Sequence, residues 1–157
     1  MKIKTLADFQ AYHSLANQLE ELVNASFQEG LSWNRKAFFA DFQSEYARYY
    51  LIEHEDQIIG MVNGHQLFEE FELFLVAVHP DFRGTGLATL LLQTLEEALQ
   101  SEAVNQILLE VRPSNQQALN LYTKFCFEQY HTRKDYYTQP IEDAWLLRKK
   151  VSQKRNE

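Results

Sequence analysis

The stretch that decides the fold is Val76-Ala77-Val78-His79-Pro80-Asp81-Phe82-Arg83-Gly84-Thr85-Gly86-Leu87-Ala88, near the middle of a 157-residue chain. It begins as an apolar strand, passes through a glycine turn and continues as a helix with the apolar residues Leu90, Leu91, Leu95 and Ala98. The first N–H groups of a helix are unpaired and partly positive, so Gly84 and Gly86 would let an anion approach them closely. Because Arg83 adds a full positive charge, this turn is predicted to hold phosphate.

Two better-known phosphate loops do not fit this turn. A dinucleotide-binding fingerprint starting at Gly84 would need a third glycine where Thr89 stands, and the Gly-Lys-Ser/Thr of a P-loop is absent from the chain. The remaining pattern, Arg-x-x-Gly-x-Ala preceded by Val-x-Pro, resembles the acyl-coenzyme A pyrophosphate loop of the GCN5-related N-acetyltransferase (GNAT) family. The hexapeptide alone leaves an ordinary glycine-rich strand-to-helix turn as the alternative.

Composition bounds the class of protein. With 45% apolar and 13% aromatic residues the chain suits one domain, which we place at residues 1–151 with a solvated tail at 152–157. The net charge of -7 argues against nucleic-acid binding and favours a basic acceptor. Neither a membrane span nor a signal peptide is indicated, so we expect a soluble, unprocessed protein with no membrane partner. The lone Cys126 fits a reducing compartment, and the predicted location is the cytoplasm.

The sequence gives little support to metal or serine-nucleophile chemistry. Its five histidines include no closely spaced pair, and one cysteine cannot form a cluster, so no metal site is predicted. No Gly-x-Ser-x-Gly elbow is present. Nothing in the pattern indicates an oligomeric state.

Hydrophobic periodicity predicts an α/β (α+β) chain in the order βααβββαβαββ, which with the resemblance implies a single-domain GNAT fold, a mixed central sheet flanked by helices. Helix starts are predicted at Ser32 and at Ser114, the latter as a capping box with Gln117. The unbroken apolar run at 73–78 predicts a strand covered on both faces. The predicted strands lie at 2–6, 49–53, 58–66, 71–78, 106–111, 127–132 and 143–151, with a hairpin turn at 54–57 and a polar loop at 135–140.

Acetyl transfer from a thioester to an amine requires a proton acceptor, donors for the oxyanion and a proton for the departing thiolate. Glu110, the single charge in an apolar strand, is the candidate base. Tyr122, which keeps its proton at neutral pH, is the candidate acid. Taken alone, each has a structural alternative: a strand charge facing solvent, and an ordinary core or surface aromatic.

A longer motif sharpens the resemblance. The stretch Leu109-Glu110-Val111-Arg112-x-Ser114-Asn115-x-x-Ala118-x-x-Leu121-Tyr122 is similar to the RimI-type branch of the family, the ribosomal-protein alanine N-acetyltransferases. So are Leu31-Ser32-Trp33, Arg133-Lys134-Asp135-Tyr136-Tyr137 and Glu142-Asp143-Ala144. The resemblance implies that Glu110 accepts a proton, Tyr122 donates one and Asn115 contacts coenzyme A.

The resemblance also implies where acetyl-CoA binds. The pantetheine would lie along the backbone of Val76, Ala77 and Val78 as an added strand, with an amide near Val78 serving the oxyanion. The pyrophosphate would lie on the turn formed by Arg83, Gly84, Thr85, Gly86, Leu87, Ala88 and Thr89. Transfer would be direct, without a metal or an acyl-enzyme.

Two positions depart from the family pattern. Cys126 stands where a glycine commonly ends the helix, so we expect a left-handed residue there, and we interpret its side chain as packed rather than nucleophilic. Asp135 stands where the branch often has asparagine, which makes the acceptor site less typical than the coenzyme site.

The predicted function is acetyl transfer from acetyl-CoA to an amine, and the acceptor implied by the resemblance is the N-terminal α-amino group of a protein such as ribosomal protein S18. Two alternatives stay open. One is an acetyltransferase for a small amine such as a polyamine or an aminoglycoside, and the other is a noncatalytic module that senses acyl-CoA.

Overall fold

Seven strands and four helices form the described part of the computed structural model, which covers residues 1–27 and 33–152. The strands are β1 (Lys2–Lys4), β2 (Ala47–His54), β3 (Gln57–Leu67), β4 (Glu70–Val78), β5 (Gln106–Val111), β6 (Glu128–Thr138) and β7 (Ile141–Lys150). The helices are α1 (Tyr12–Ser26), α2 (Arg35–Asp41), α3 (Leu87–Gln100) and α4 (Gln116–Lys124), with one-turn 3-10 helices at Leu6–Asp8 and Pro80–Phe82. The predicted order βααβββαβαββ is confirmed.

The chain divides into two compact units. The first comprises Met1–His65 and Leu75–Glu97, and the second comprises Gln66–Phe74 and the chain from Ala98 onward. Strand β4 contributes residues to both units, and the hydrogen-bonded strand order β1-β2-β3-β4-β5-β7-β6 makes a mixed sheet, as the predicted fold class requires. The assignment of one domain to residues 1–151 and a solvated tail to 152–157 stays a prediction.

In the first unit, helix α1 buries one apolar face. Its residues at helical spacing are all at most 2% exposed: Leu15, Ala16, Leu19, Leu22 and Val23. Fully burying an aliphatic side chain contributes about 1.5 to 3 kcal/mol, so this face is a main reason why the helix forms.

Two local predictions in the first unit have different outcomes. The hairpin at 54–57 is confirmed, because Glu55 and Asp56 have φ angles of 50° and 62° between paired strands. Ser32 lies outside the described residues, and its prediction as the cap of α2 is wrong because Asn34 fills that position. The Asn34 side chain accepts the Ala37 N–H at 2.9 Å, and asparagine is as strong an N-cap as serine.

In the second unit, strand β5 runs parallel to the start of β4 over Glu70–Glu72 and antiparallel to β7 over its whole length. The predicted bounds of β5, residues 106–111, are confirmed. This register places Glu110 opposite Leu146 of β7, and β7 is the one strand that separates β5 from β6.

The polar loop predicted at 135–140 is wrong. Strand β6 continues to Thr138 and β7 begins at Ile141, because Tyr137 pairs with Glu142 and Thr138 with Ile141. Polar composition misled the prediction here: the described residues of β6 form an exposed edge strand, and an edge strand needs no apolar face.

The burial of β4 also differs from expectation. Phe71, Leu73, Leu75 and Ala77 are buried, whereas the residues between them are exposed or half-buried. The prediction of a strand covered on both faces is therefore wrong for one face, because an unbroken apolar run does not by itself show how deeply each side is covered.

Candidate active site

In the first unit, the glycine turn between β4 and α3 has the conformation that a phosphate loop needs. Gly84 and Gly86 have φ angles of 76° and 81°, which side chains other than glycine rarely adopt. A Cβ built on either glycine would have no neighbour within 4 Å. The glycines are therefore required by backbone conformation, and the space above them is open.

The same turn presents a run of free donors. The first backbone hydrogen bond of α3 is donated by Leu90 to the Gly86 carbonyl, at 3.0 Å. Across the described part of the chain, no hydrogen-bond acceptor meets the N–H groups of residues 84–88. Consecutive N–H groups at the positive end of a helix dipole form an anion-binding concavity, so this donor set fits a pyrophosphate.

Arg83 connects this turn to the end of α1. Its guanidinium donates to the Ser26 carbonyl at 2.5 Å, where the helix dipole is negative. The Ser26 hydroxyl lies 3.2 Å from the Val78 carbonyl at the end of β4 and 2.6 Å from that of Leu22. Ser26 thus joins α1, β4 and the turn, a role that the sequence analysis missed because it depends on contacts more than 50 residues apart.

In the second unit, Glu110 is held by two side chains from β6. Its Oε1 lies 3.2 Å from Arg133 Nη1, and its carboxylate side chain is 30% exposed. Hydrogen bonding with Glu110 raises the pKa of the Tyr136 phenol above its usual value. Glu110 is therefore a half-buried carboxylate that is paired with a cation from β6.

Tyr122 is a buried residue of α4. The residue is 7% exposed, and its ring meets that of Phe127 edge-on with centroids 5.4 Å apart. Burial, reinforced by nearby Tyr137, raises the pKa of Tyr122 well above its usual value.

Tyr137 is electrostatically coupled to both candidate catalytic residues. Burial, followed by the charge of Glu110, raises the pKa of Tyr137 to about 12, while Arg112 opposes the rise. The Arg112 guanidinium lies over the Tyr137 ring, 4.1 Å from its centroid. Glu110 raises the pKa of Tyr137, and Tyr137 raises that of Tyr122, so Tyr137 lies near both candidates within the second unit.

Glu142 joins the β6–β7 hairpin to the start of α4. Its carboxylate accepts the Ser114 N–H and hydroxyl, both at 2.8 Å, and forms an ion pair with Arg112 at 3.4 Å. The prediction that Ser114 and Gln117 form a capping box is wrong. Ser114 is engaged by Glu142 instead, and Asn115 is the N-cap of α4.

Asn115 caps α4 through its side-chain oxygen alone. Its Oδ1 accepts the Ala118 N–H at 3.1 Å. The amide NH₂ remains a donor, so capping is compatible with the predicted contact to coenzyme A, which stays a prediction.

Cys126 partly follows expectation. Its φ of 66° confirms the predicted left-handed residue after α4. The prediction of a packed side chain is wrong, because Cys126 is exposed: a residue in this position after a helix directs its side chain toward solvent. Asp135 also has a positive φ, of 52°.

Within residues 1–27 and 33–152, no group of three or more His, Cys, Asp or Glu side chains could hold a metal ion. Over the same ranges, no helix has the length and apolar character needed to cross a membrane.

Comparisons with known proteins identify relatives. The model of the acetyltransferase (GNAT) family matches residues 16–127. The [ribosomal protein bS18]-alanine N-acetyltransferase of Salmonella typhimurium is 33% identical over 122 residues, covering 76% of this chain and 82% of the relative. The crystal structure of the ribosomal-protein-S18-alanine N-acetyltransferase from Escherichia coli has a TM-score of 0.83 at 24% identity, covering 99% of this chain and 97% of that one. Aminoglycoside 6'-acetyltransferase type Ii shares the fold, with a TM-score of 0.80 at 16% identity over 99% of this chain and 100% of that one.

Proposed function

The chain belongs to the GNAT family of acetyltransferases, and from that premise we propose that its acceptor is the N-terminal α-amino group of a ribosomal protein of the S18 type. It is an acetyl-CoA-dependent N-acetyltransferase. The acceptor is suggested by the activity of relatives that match three quarters of the chain, and the acidic net charge suits a basic acceptor. An acceptor of this kind would place the enzyme in the cytoplasm.

Acetyl-CoA would be held mainly by backbone groups of the first unit. The N–H groups of residues 84–88 would bind the pyrophosphate, with Arg83 and the Thr85 and Thr89 side chains beside them. Within residues 1–27 and 33–152, one of the five guanidinium donors of Arg83 is engaged, and the others would be available to phosphate. Val76, Ala77 and Val78 would pair with the pantetheine through their backbone, and Asn115 would donate its amide hydrogen to the coenzyme.

Glu110 and Tyr122 would divide the proton transfers between them. Glu110 would take a proton from the acceptor amine, directly or through water, as its nitrogen attacks the thioester carbon. An amide near Val78 would stabilise the oxyanion, and Tyr122 would give its proton to the sulfur as the carbon–sulfur bond breaks. The observation that carries this assignment is a buried tyrosine and a half-buried carboxylate paired with Arg133, with Tyr137 near both.

The test uses Glu110→Gln and Tyr122→Phe with an alanine-first peptide as acceptor and released thiol as readout. Because positioned acid or base groups contribute about 10²- to 10⁴-fold, we expect kcat to fall by at least about 100-fold in each variant. Calorimetry should show coenzyme A binding unchanged. Tyr130→Phe is the matched control, since Tyr130 is exposed on β6 and contacts Arg148.

Each contrary outcome has a definite meaning. Wild-type rates in both variants would refute the two catalytic roles. Faster acetylation of a polyamine or an aminoglycoside than of any peptide would show that the acceptor is a small amine. Coenzyme binding without turnover on every amine would show that the protein is a sensor of acyl-CoA.

A further inference from the structure

Strand β6 contains an irregularity beside the candidate base. Arg133 pairs with Ala144 and Tyr137 with Glu142, so three residues of β6 lie opposite the single Asp143. Asp135 is at the centre of this bulge, with its positive φ and its N–H bonded to Asp143 Oδ1 at 2.9 Å. A bulge of this kind redirects side chains, and aspartate tolerates the left-handed conformation better than most residues.

The bulge changes which residues share a face. In a regular strand, side chains three positions apart point to opposite faces. Here Arg133 and Tyr136, three apart, both interact with Glu110, and the guanidinium also lies 5.5 Å from the centroid of the Tyr136 ring. The irregular backbone therefore brings a cation and a phenol to the same carboxylate.

The contacts of Arg133 serve little structural purpose. Its side chain is 51% exposed, and its polar contact within the described chain is with Glu110. An exposed ion pair of this kind contributes little to stability. Removing the arginine should consequently leave the fold intact while releasing the Glu110 side chain.

We propose that Arg133, carried to Glu110 by the β6 bulge, is a positioning residue that holds the base carboxylate in its reactive orientation. The inference rests on the proposed role of Glu110 as the base. A carboxylate has about four acceptor positions, so the contacts with Arg133 and Tyr136 leave room for the acceptor's ammonium. Arg133 acts through Glu110 and takes no part in proton transfer itself.

The experiment is a double-mutant cycle on Glu110 and Arg133 in the full chain, using Arg133→Gln, Glu110→Gln and the double variant. A catalytic group that is held in the wrong position slows the chemical step. We therefore expect Arg133→Gln to lower kcat about tenfold with the KM for acetyl-CoA unchanged. In the Glu110→Gln background the same change should have less than about a twofold effect, because residues that act as a unit are not additive. Arg133→Lys keeps the charge and should recover part of the loss.

Arg148→Gln is the matched control, because it removes the same charge from the neighbouring strand, where Arg148 lies over the Tyr130 ring. It should leave kcat unchanged. The proposal is overturned if Arg133→Gln keeps the wild-type kcat or raises it, the latter showing that Arg133 blocks the base. An equal loss in the Glu110→Gln background, or a lowered melting temperature that accounts for the loss, overturns it as well. If Glu110→Gln itself is fully active, the proposed function fails at its base, and this result is distinct from a failure of Arg133 alone.

Discussion

Replacing Cys126 by glycine should stabilise the protein. Cys126 follows α4 in the left-handed conformation, where the Phe127 N–H donates to the Tyr122 carbonyl at 3.0 Å. A residue with a Cβ loses about 1 to 2 kcal/mol in this conformation, and glycine does not. Glycine also makes the unfolded chain more flexible, which costs about 0.4 to 1 kcal/mol. The Cys126 side chain is exposed, so no packing is lost, and the net gain is about 0.5 to 1 kcal/mol.

Urea and thermal unfolding under reducing conditions measure this gain. For a chain of this size the melting temperature should rise by about 1 to 4 °C. Cys126→Ala keeps the Cβ and is the control, expected to match the wild type. The reasoning is refuted if the glycine variant is less stable than the wild type, or if alanine stabilises equally. Acetyl transfer should survive the change, because the hydrogen bond to Tyr122 is a backbone one.

Three further changes follow from the site. Gly86→Ala forces a side chain into a positive φ, and we expect it to lower the free energy of unfolding by about 1 kcal/mol and to weaken coenzyme A binding in calorimetry. Burial favours a higher pKa for Glu142, but hydrogen bonds from Ser114 and Arg112 outweigh it and lower the pKa below 4.5. Glu142→Gln should therefore be less stable than the wild type at pH 7, with the difference shrinking as pH falls below 4.5 in urea titrations. Folding raises the pKa of Tyr137 from 10 to about 12, so the unfolded chain loses this proton first as pH rises. The wild-type protein should therefore lose folding stability between pH 10 and 12, and Tyr137→Phe should lose less over the same interval in urea titrations.

Local patterns predicted most elements of the fold. The spacing of apolar residues in α1, the bounds of β5 and the hairpin at 54–57 were all recoverable, because each depends on neighbours within a few residues. The helix caps were not recoverable from local patterns. Asparagine caps a helix as well as serine does, and Asn34 and Asn115 are the caps in place of the predicted serines. Ser114 fails as a cap because Glu142, 28 positions away, takes both of its donors, and nothing local signals that competition.

The sequence by itself determined the order of the elements and the glycine turn, and it predicted Glu110 and Tyr122 as candidates for the base and the acid. These depend on periodicity, on backbone preference and on the chemistry of single side chains, all of which are encoded locally. Only the tertiary structure decided what surrounds those residues: Arg133 reaches Glu110 across 23 positions of sequence, and Tyr137 lies near both candidates. Such contacts depend on the register of three strands and on one bulge, and a shift of a single residue would turn the same side chains to the opposite face.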